Sequence, residues 1–274
     1  NPGKHGVYCF LRFEGYDWDV VNATDVKEHT LWELMSDHGH TSVVVNVPVT
    51  HPPREFDGAL VPGYLAPEDP QCHPAGLLDD IRAELGGYRL YNDGVDTEAP
   101  TSERLDAYRD LVEMRGRAFR YLADRFDPSF GFLQFQQTDT LFHESPENDA
   151  IVAGVYEAVD EQVAATLDVC DPDTVFLVSD HGLGPYDGHE FRVNSFLREA
   201  GHVDSVTGEG GMPSWNSIAR NRLRDGEDGG QPDPSAVERL LQVSAKAGLT
   251  SQRIETLVST LGVKDLVVRV APVE

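Results

Sequence analysis

Two short clusters carry the residue types from which a reactive centre can be built: Asp139-Thr-Leu-Phe-His143 and Ser179-Asp180-His181-Gly182. Each joins a carboxylate, a hard oxygen donor, to an imidazole, a borderline nitrogen donor, and that mixture suits Zn²⁺ or Mn²⁺. Asp139 and His143, four residues apart, converge on one ion if the chain there turns into a helix. Asp180 and His181 are adjacent, so they converge only where a turn breaks strand alternation, and Gly182 supplies the freedom for that turn. Two such pairs side by side hold two divalent ions about 4 Å apart, the spacing that clamps a reacting phosphoryl group. Either cluster alone is a common surface pattern; only their occurrence together points to a metal site.

Both clusters follow runs with strand character, Phe132-Leu-Gln-Phe-Gln136 and Thr174-Val-Phe-Leu-Val178. In parallel α/β sheets ligands gather outside the carboxyl ends of strands, which is where both would fall. The rest of the chain supplies such a sheet: short β-branched or aromatic runs alternate with longer helical ones. Strands are expected at 7–13, 41–47, 131–137 and 174–179, and helices at 75–85, 102–126 and 147–167. Thr30-Leu-Trp-Glu33 is a capping box that opens a further helix ending at Gly39. Residues 53–74, rich in Pro and Gly, read as an irregular loop. The expected fold is a three-layer α/β/α sandwich with a mostly parallel sheet, formed by residues 1–200. Residues 201–274, with turn-rich tracts and helices at 235–247 and 250–261, would form a helical cap insertion.

Composition narrows the partners. The 274 residues carry 47 Asp plus Glu against 22 Lys plus Arg, a formal charge of −25. A surface this negative repels phosphate backbones and anionic lipid, which argues against a nucleic-acid scaffold protein or a basic membrane binder. Lys4, Lys27, Lys246 and Lys264 are the only lysines. Acidic excess with scarce lysine fits a protein adapted to high salt, where screening removes self-repulsion. Cys9, Cys72 and Cys170 are odd in number and widely separated, which fits a reducing compartment, the cytoplasm, better than a disulfide framework. No run approaches the ~18 apolar residues of a membrane span.

As an ordered set, the element ending in Asp139-x-x-x-His143 followed by Ser179-Asp180-His181-Gly182 resembles the metal-binding core of the alkaline phosphatase superfamily. The nearer likeness is to its type I phosphodiesterase and nucleotide pyrophosphatase branch. Lys4-His-Gly-Val-Tyr8 and Val44-Val-Asn-Val-Pro-Val-Thr50 add to it, and the likeness runs over about residues 1–200. The resemblance implies a hydrolase of phosphate mono- or diesters, acting on a small-molecule phosphate ester with two divalent ions, Zn or Mn. It implies that Asp139 and His143 ligate one ion together with a late histidine. Asp180 and His181 would ligate the other, together with a first-strand aspartate, and that ion activates a Thr or Ser nucleophile.

The first-strand aspartate and the nucleophile belong upstream of Lys4-His-Gly6, and no histidine follows His202. Either the chain is a stretch of a longer enzyme, expected by itself to bind metal weakly and turn over little, or it is an inactive relative; the abrupt starting loop favours the first. His189, in the loop after the second cluster, is either a substitute ligand, for metal or substrate, or an exposed loop histidine. Competing readings are a phosphomutase or sulfatase of the same superfamily, or a metal-binding or structural α/β domain without catalysis.

Overall fold

The run Ser42–Val47 is buried on both faces as far as Asn46, as a strand must be when helices cover both sides of a sheet. In the computed structural model, which describes residues 2–14, 17–92, 99–184, 188–189, 191–203 and 218, this run is the central strand β3 of a parallel three-stranded sheet in the order β4-β3-β5. Gly58–Pro62 forms β4 and Phe130–Leu133 forms β5. Registers pair Val44 with Leu60 on one side and with Phe132 on the other. Before the sheet come a short helix α1 (Pro2–His5) and an antiparallel hairpin, β1 (Leu11–Glu14) with β2 (Asp17–Val20). A 3₁₀ turn at Ala23–Asp25 and helix α2 (Leu31–Asp37) then lead into β3. After β4 come α3 (Leu77–Leu85) and α4 (Thr101–Phe126); after β5 come α5 (Gln137–Glu144) and α6 (Asp149–Cys170).

Strand alternation sorts the side chains into two layers of core. Val43, Val45, Ala59 and Val61 face Leu77, Leu78 and Ile81 of α3 and Ala118, Phe119 and Leu122 of α4. Val44 and Leu60 face Trp32 of α2, on which Phe132 stacks with ring centroids 6.4 Å apart. Helices therefore cover both faces, and the fold is an α/β sandwich. A side chain at Gly131 would place its Cβ 2.5 Å from the Phe119 ring, so glycine is what allows α4 to lie against β5. The capping box at α2 is formed, with the Glu33 carboxylate accepting from the Thr30 amide at 2.6 Å and Thr30 Oγ accepting from the Glu33 amide at 3.4 Å.

Four expectations change. The first strand starts at Leu11 and folds back on β2, because the Glu14–Asp17 register closes a tight reversal, so it stands apart from the parallel sheet. The stretch 53–74 contains β4: Ala59, Leu60 and Val61 are worth burying against β3, and Pro62 sits at the strand end where its missing N–H costs little. The expected strand at 131–137 stops at Leu133 and gives way to α5. Finally, 174–179 pairs with no strand among the described residues, and Phe176, Leu177 and Val178 are about 80% exposed, at 83%, 79% and 84%. A strand is held by ladder bonds and by burial, and this run has neither here.

The chain divides into two compact units, the first containing residues up to Gly184 and the second beginning at Pro185. Of the second, helix α7 (Val193–Glu199) is described, with Phe191 tilted against Phe196 at 5.4 Å. The helices expected at 235–247 and 250–261 lie outside the described residues. Among the described residues no helix is long and apolar enough to cross a membrane.

Candidate metal centre

The ladder of β5 ends where the Gln134 amide donates to Val45 O, and the chain then coils at once. Gln136 caps the new helix through its carbonyl, which accepts from the Asp139 and Thr140 amides at 3.0 Å each. In α5 the four-residue spacing puts Asp139 and His143 on one face, while Leu141 between them is fully buried. Leu141 packs among Tyr108 and Val112 of α4 and Ile151, Val155 and Ala158 of α6. The far end of α5 is tied down as well. The Tyr108 hydroxyl donates to the Glu144 carboxylate, and Arg104 donates to Glu144 O at 3.1 Å and to Ser145 Oγ. Burial, and then the neighbouring Glu144 carboxylate, push the Tyr108 phenol well above its usual range, so it stays a donor.

The second cluster reaches the first. His181 Nε2 lies 3.9 Å from Asp139 Oδ1, which is also 3.6 Å from His143 Nε2; Asp180 Oδ2 is 3.5 Å from His181 Nε2. His181 Nδ1 lies 3.3 Å from the Gly182 carbonyl, so Nε2 is the ring nitrogen turned toward the two carboxylates. Ser179 Oγ closes the turn by donating to the His181 carbonyl. All four side chains named from the sequence thus lie in one neighbourhood of the first unit.

These donors fit divalent ions in kind and in spacing. Donors about 2.1 Å from an ion in a tetrahedral site stand about 3.4 Å from each other, close to the 3.5 and 3.6 Å within the two pairs. The pairs are incomplete as they stand: among the described residues no group of three or more His, Cys, Asp or Glu is set to hold an ion. Access is open, the Asp139 side chain being 30% exposed and those of His143, His181 and Asp180 66%, 56% and 89%. His189 is exposed and belongs to the second unit.

Sequence reasoning missed three residues behind this centre. Gln136 Nε2 donates to Asp139 Oδ2 at 3.0 Å, Gln134 Nε2 donates to Gln136 Oε1 at 3.0 Å, and Asn46 Nδ2 donates to Gln134 Oε1 at 2.8 Å. The available signal was polarity out of place: Asn46 interrupts a run of valines, and Gln134 and Gln136 alternate at the end of an apolar strand.

A family model described as type I phosphodiesterase / nucleotide pyrophosphatase matches residues 1–259. The chain belongs to this family. No curated protein and no solved structure gives a significant match. The family points to phosphoester hydrolysis on small phosphate-ester or nucleotide substrates, and its members are generally metal-dependent. In a type I phosphodiesterase, two carboxylate–imidazole pairs facing each other are the groups to weigh as ligands.

Proposed function

We propose that this chain carries the metal-binding part of a two-ion hydrolase of phosphate mono- or diesters, with Asp139 and His143 serving one ion, Zn²⁺ or Mn²⁺, and Asp180 and His181 the other. The observation that carries this reading is the approach of His143 and His181 to the same Asp139 oxygen, in a chain of this family. Divalent ions bound there would supply positive charge to the phosphoryl oxygens and acidify a bound hydroxyl. The protein's share of the work is positional. Helix α5 holds Asp139 and His143 at fixed spacing, and the Ser179–Gly182 turn holds His181 with Nε2 toward Asp139 and Asp180. By the family resemblance, the attacking group would be a Thr or Ser hydroxyl.

Cys9, Cys72 and Cys170 are free thiols, which supports a reducing compartment such as the cytoplasm. The test is turnover of bis-p-nitrophenyl phosphate and p-nitrophenyl phosphate by the full-length gene product with Zn²⁺ or Mn²⁺. Turnover of one ester that collapses in Asp180→Ala supports the reading. No turnover of either, or turnover untouched by Asp180→Ala, overturns it.

A further inference from the structure

Behind Asp139 runs a chain of three amides whose direction is forced. A carboxylate oxygen can only accept, so Gln136 must present its NH₂ group to Asp139 Oδ2, at 3.0 Å. Its Oε1 is then the acceptor for Gln134 Nε2 at 3.0 Å, and Gln134 Oε1 in turn accepts from Asn46 Nδ2 at 2.8 Å. The same Asn46 nitrogen donates to the Gln134 carbonyl at 3.0 Å. Every NH₂ group in the relay points toward the carboxylate.

The origin of the relay is rigid. Asn46 is buried at 2% exposure, at the irregularity in β3 between Val45 and Val47, with φ of 67°. Asn is among the few residues other than glycine that adopt this conformation readily. Gln134 is fixed by its own amide, which donates to Val45 O at 3.1 Å. The relay thus transmits the position of the central strand to one oxygen of one candidate ligand. That oxygen, Oδ2, is engaged; the other, Oδ1, faces His143 and His181 at 3.6 and 3.9 Å.

We propose that Gln136, oriented by Gln134 and Asn46, is a positioning residue that holds Asp139 as a one-oxygen ligand, reserving Oδ1 for the metal ion and keeping Oδ2 out of its coordination shell. This rests on the metal reading given above and adds a specific denticity to it. Partners of this kind orient a ligand before the ion arrives, and their loss costs about 10–100-fold in metal affinity.

Gln136→Met keeps the size of the side chain and removes the amide. The measurement is Co²⁺ titration of the full chain, followed by calorimetry and by visible absorption, whose intensity falls as coordination number rises. The expected result is Co²⁺ affinity about 10–100-fold weaker and a weaker visible band, as Asp139 becomes free to chelate through both oxygens, with the urea midpoint of the metal-free protein unchanged. A folded Gln136→Met whose affinity lies within about twofold of the parent and whose spectrum is the same overturns the proposal. If Gln136→Met does not fold, Gln134→Met carries the test: it cuts the relay one step back and is expected to shift affinity the same way, by about threefold. A parent chain that binds no Co²⁺ overturns the metal reading itself, whereas binding that ignores both variants overturns the relay alone.

Discussion

The two halves of the candidate centre are built to opposite standards. Asp139 and His143 stand on a helix whose buried Leu141 is locked into the α4–α6 packing, and Asp139 is tethered from behind by an amide relay. Asp180 and His181 stand on a turn that follows a solvent-exposed run, unpaired among the described residues, and their support there is local: the Ser179 hydroxyl and the Gly182 carbonyl. One half is organised by the core before any ligand arrives. The other is organised by its neighbours in sequence, and its own ion, once bound, would be what orders it. A site can thus be only as preorganised as the weaker of the elements that carry it.

The largest test of that contrast is a pair of truncations. Leu141→Ala removes a fully buried side chain and should cost about 3 kcal/mol in urea unfolding. Val178→Ala, at an 84% exposed position, should change stability by less than about 0.5 kcal/mol. Equal costs would mean that 174–179 is packed as well as α5 and would end the comparison. A finer test uses the ion itself. Amide hydrogen exchange at residues 179–182 should slow by about tenfold or more on adding Mn²⁺, while exchange in α5 changes by less than about threefold. Equal slowing in both would make the halves equivalent.

The smallest effect is expected on the other face of the sheet, where Glu33 caps α2. Burial works against its charge, but the hydrogen bonds from the Thr30 amide and hydroxyl and the Arg54 guanidinium outweigh it, and the carboxyl is held below its usual 4.5. An acid whose pKa is lowered by folding adds stability that is complete above its unfolded value and disappears as pH falls through the folded one. Glu33→Ala should therefore cost about 1 kcal/mol at pH 7, and the gap to the parent should close as unfolding is followed to pH values below the ordinary carboxylate range. Co²⁺ affinity should be unaffected; a change would mean that α2 belongs to the support of the centre.

Much of this was legible because it is local. The Thr30–Glu33 box is written in four residues, the β3 run in six, and the Asp139–His143 spacing needs only a helical turn to become a pair. What the sequence concealed depends on partners far along the chain. Residues 59–61 look like part of a Pro-rich loop until β3 is there to bury them, and the run at 175–178 looks like a strand although no neighbour among the described residues bonds to it. The glutamines at 134 and 136 read as strand polarity. Their role appears only once Asn46, 88 residues from Gln134, comes into contact with it.

The exposed run at 175–178 has a consequence for behaviour in solution. Val-Phe-Leu-Val carries no charge and no proline, the composition that self-associates edge to edge when left uncovered. In dilute buffer the formal charge of −25 keeps copies apart. At about 1 M salt the screening length shrinks to about 3 Å, so the ions that relieve the acidic surface of its self-repulsion also remove the barrier between two such runs. Concentration-dependent association should therefore be sharper at high salt than in dilute buffer.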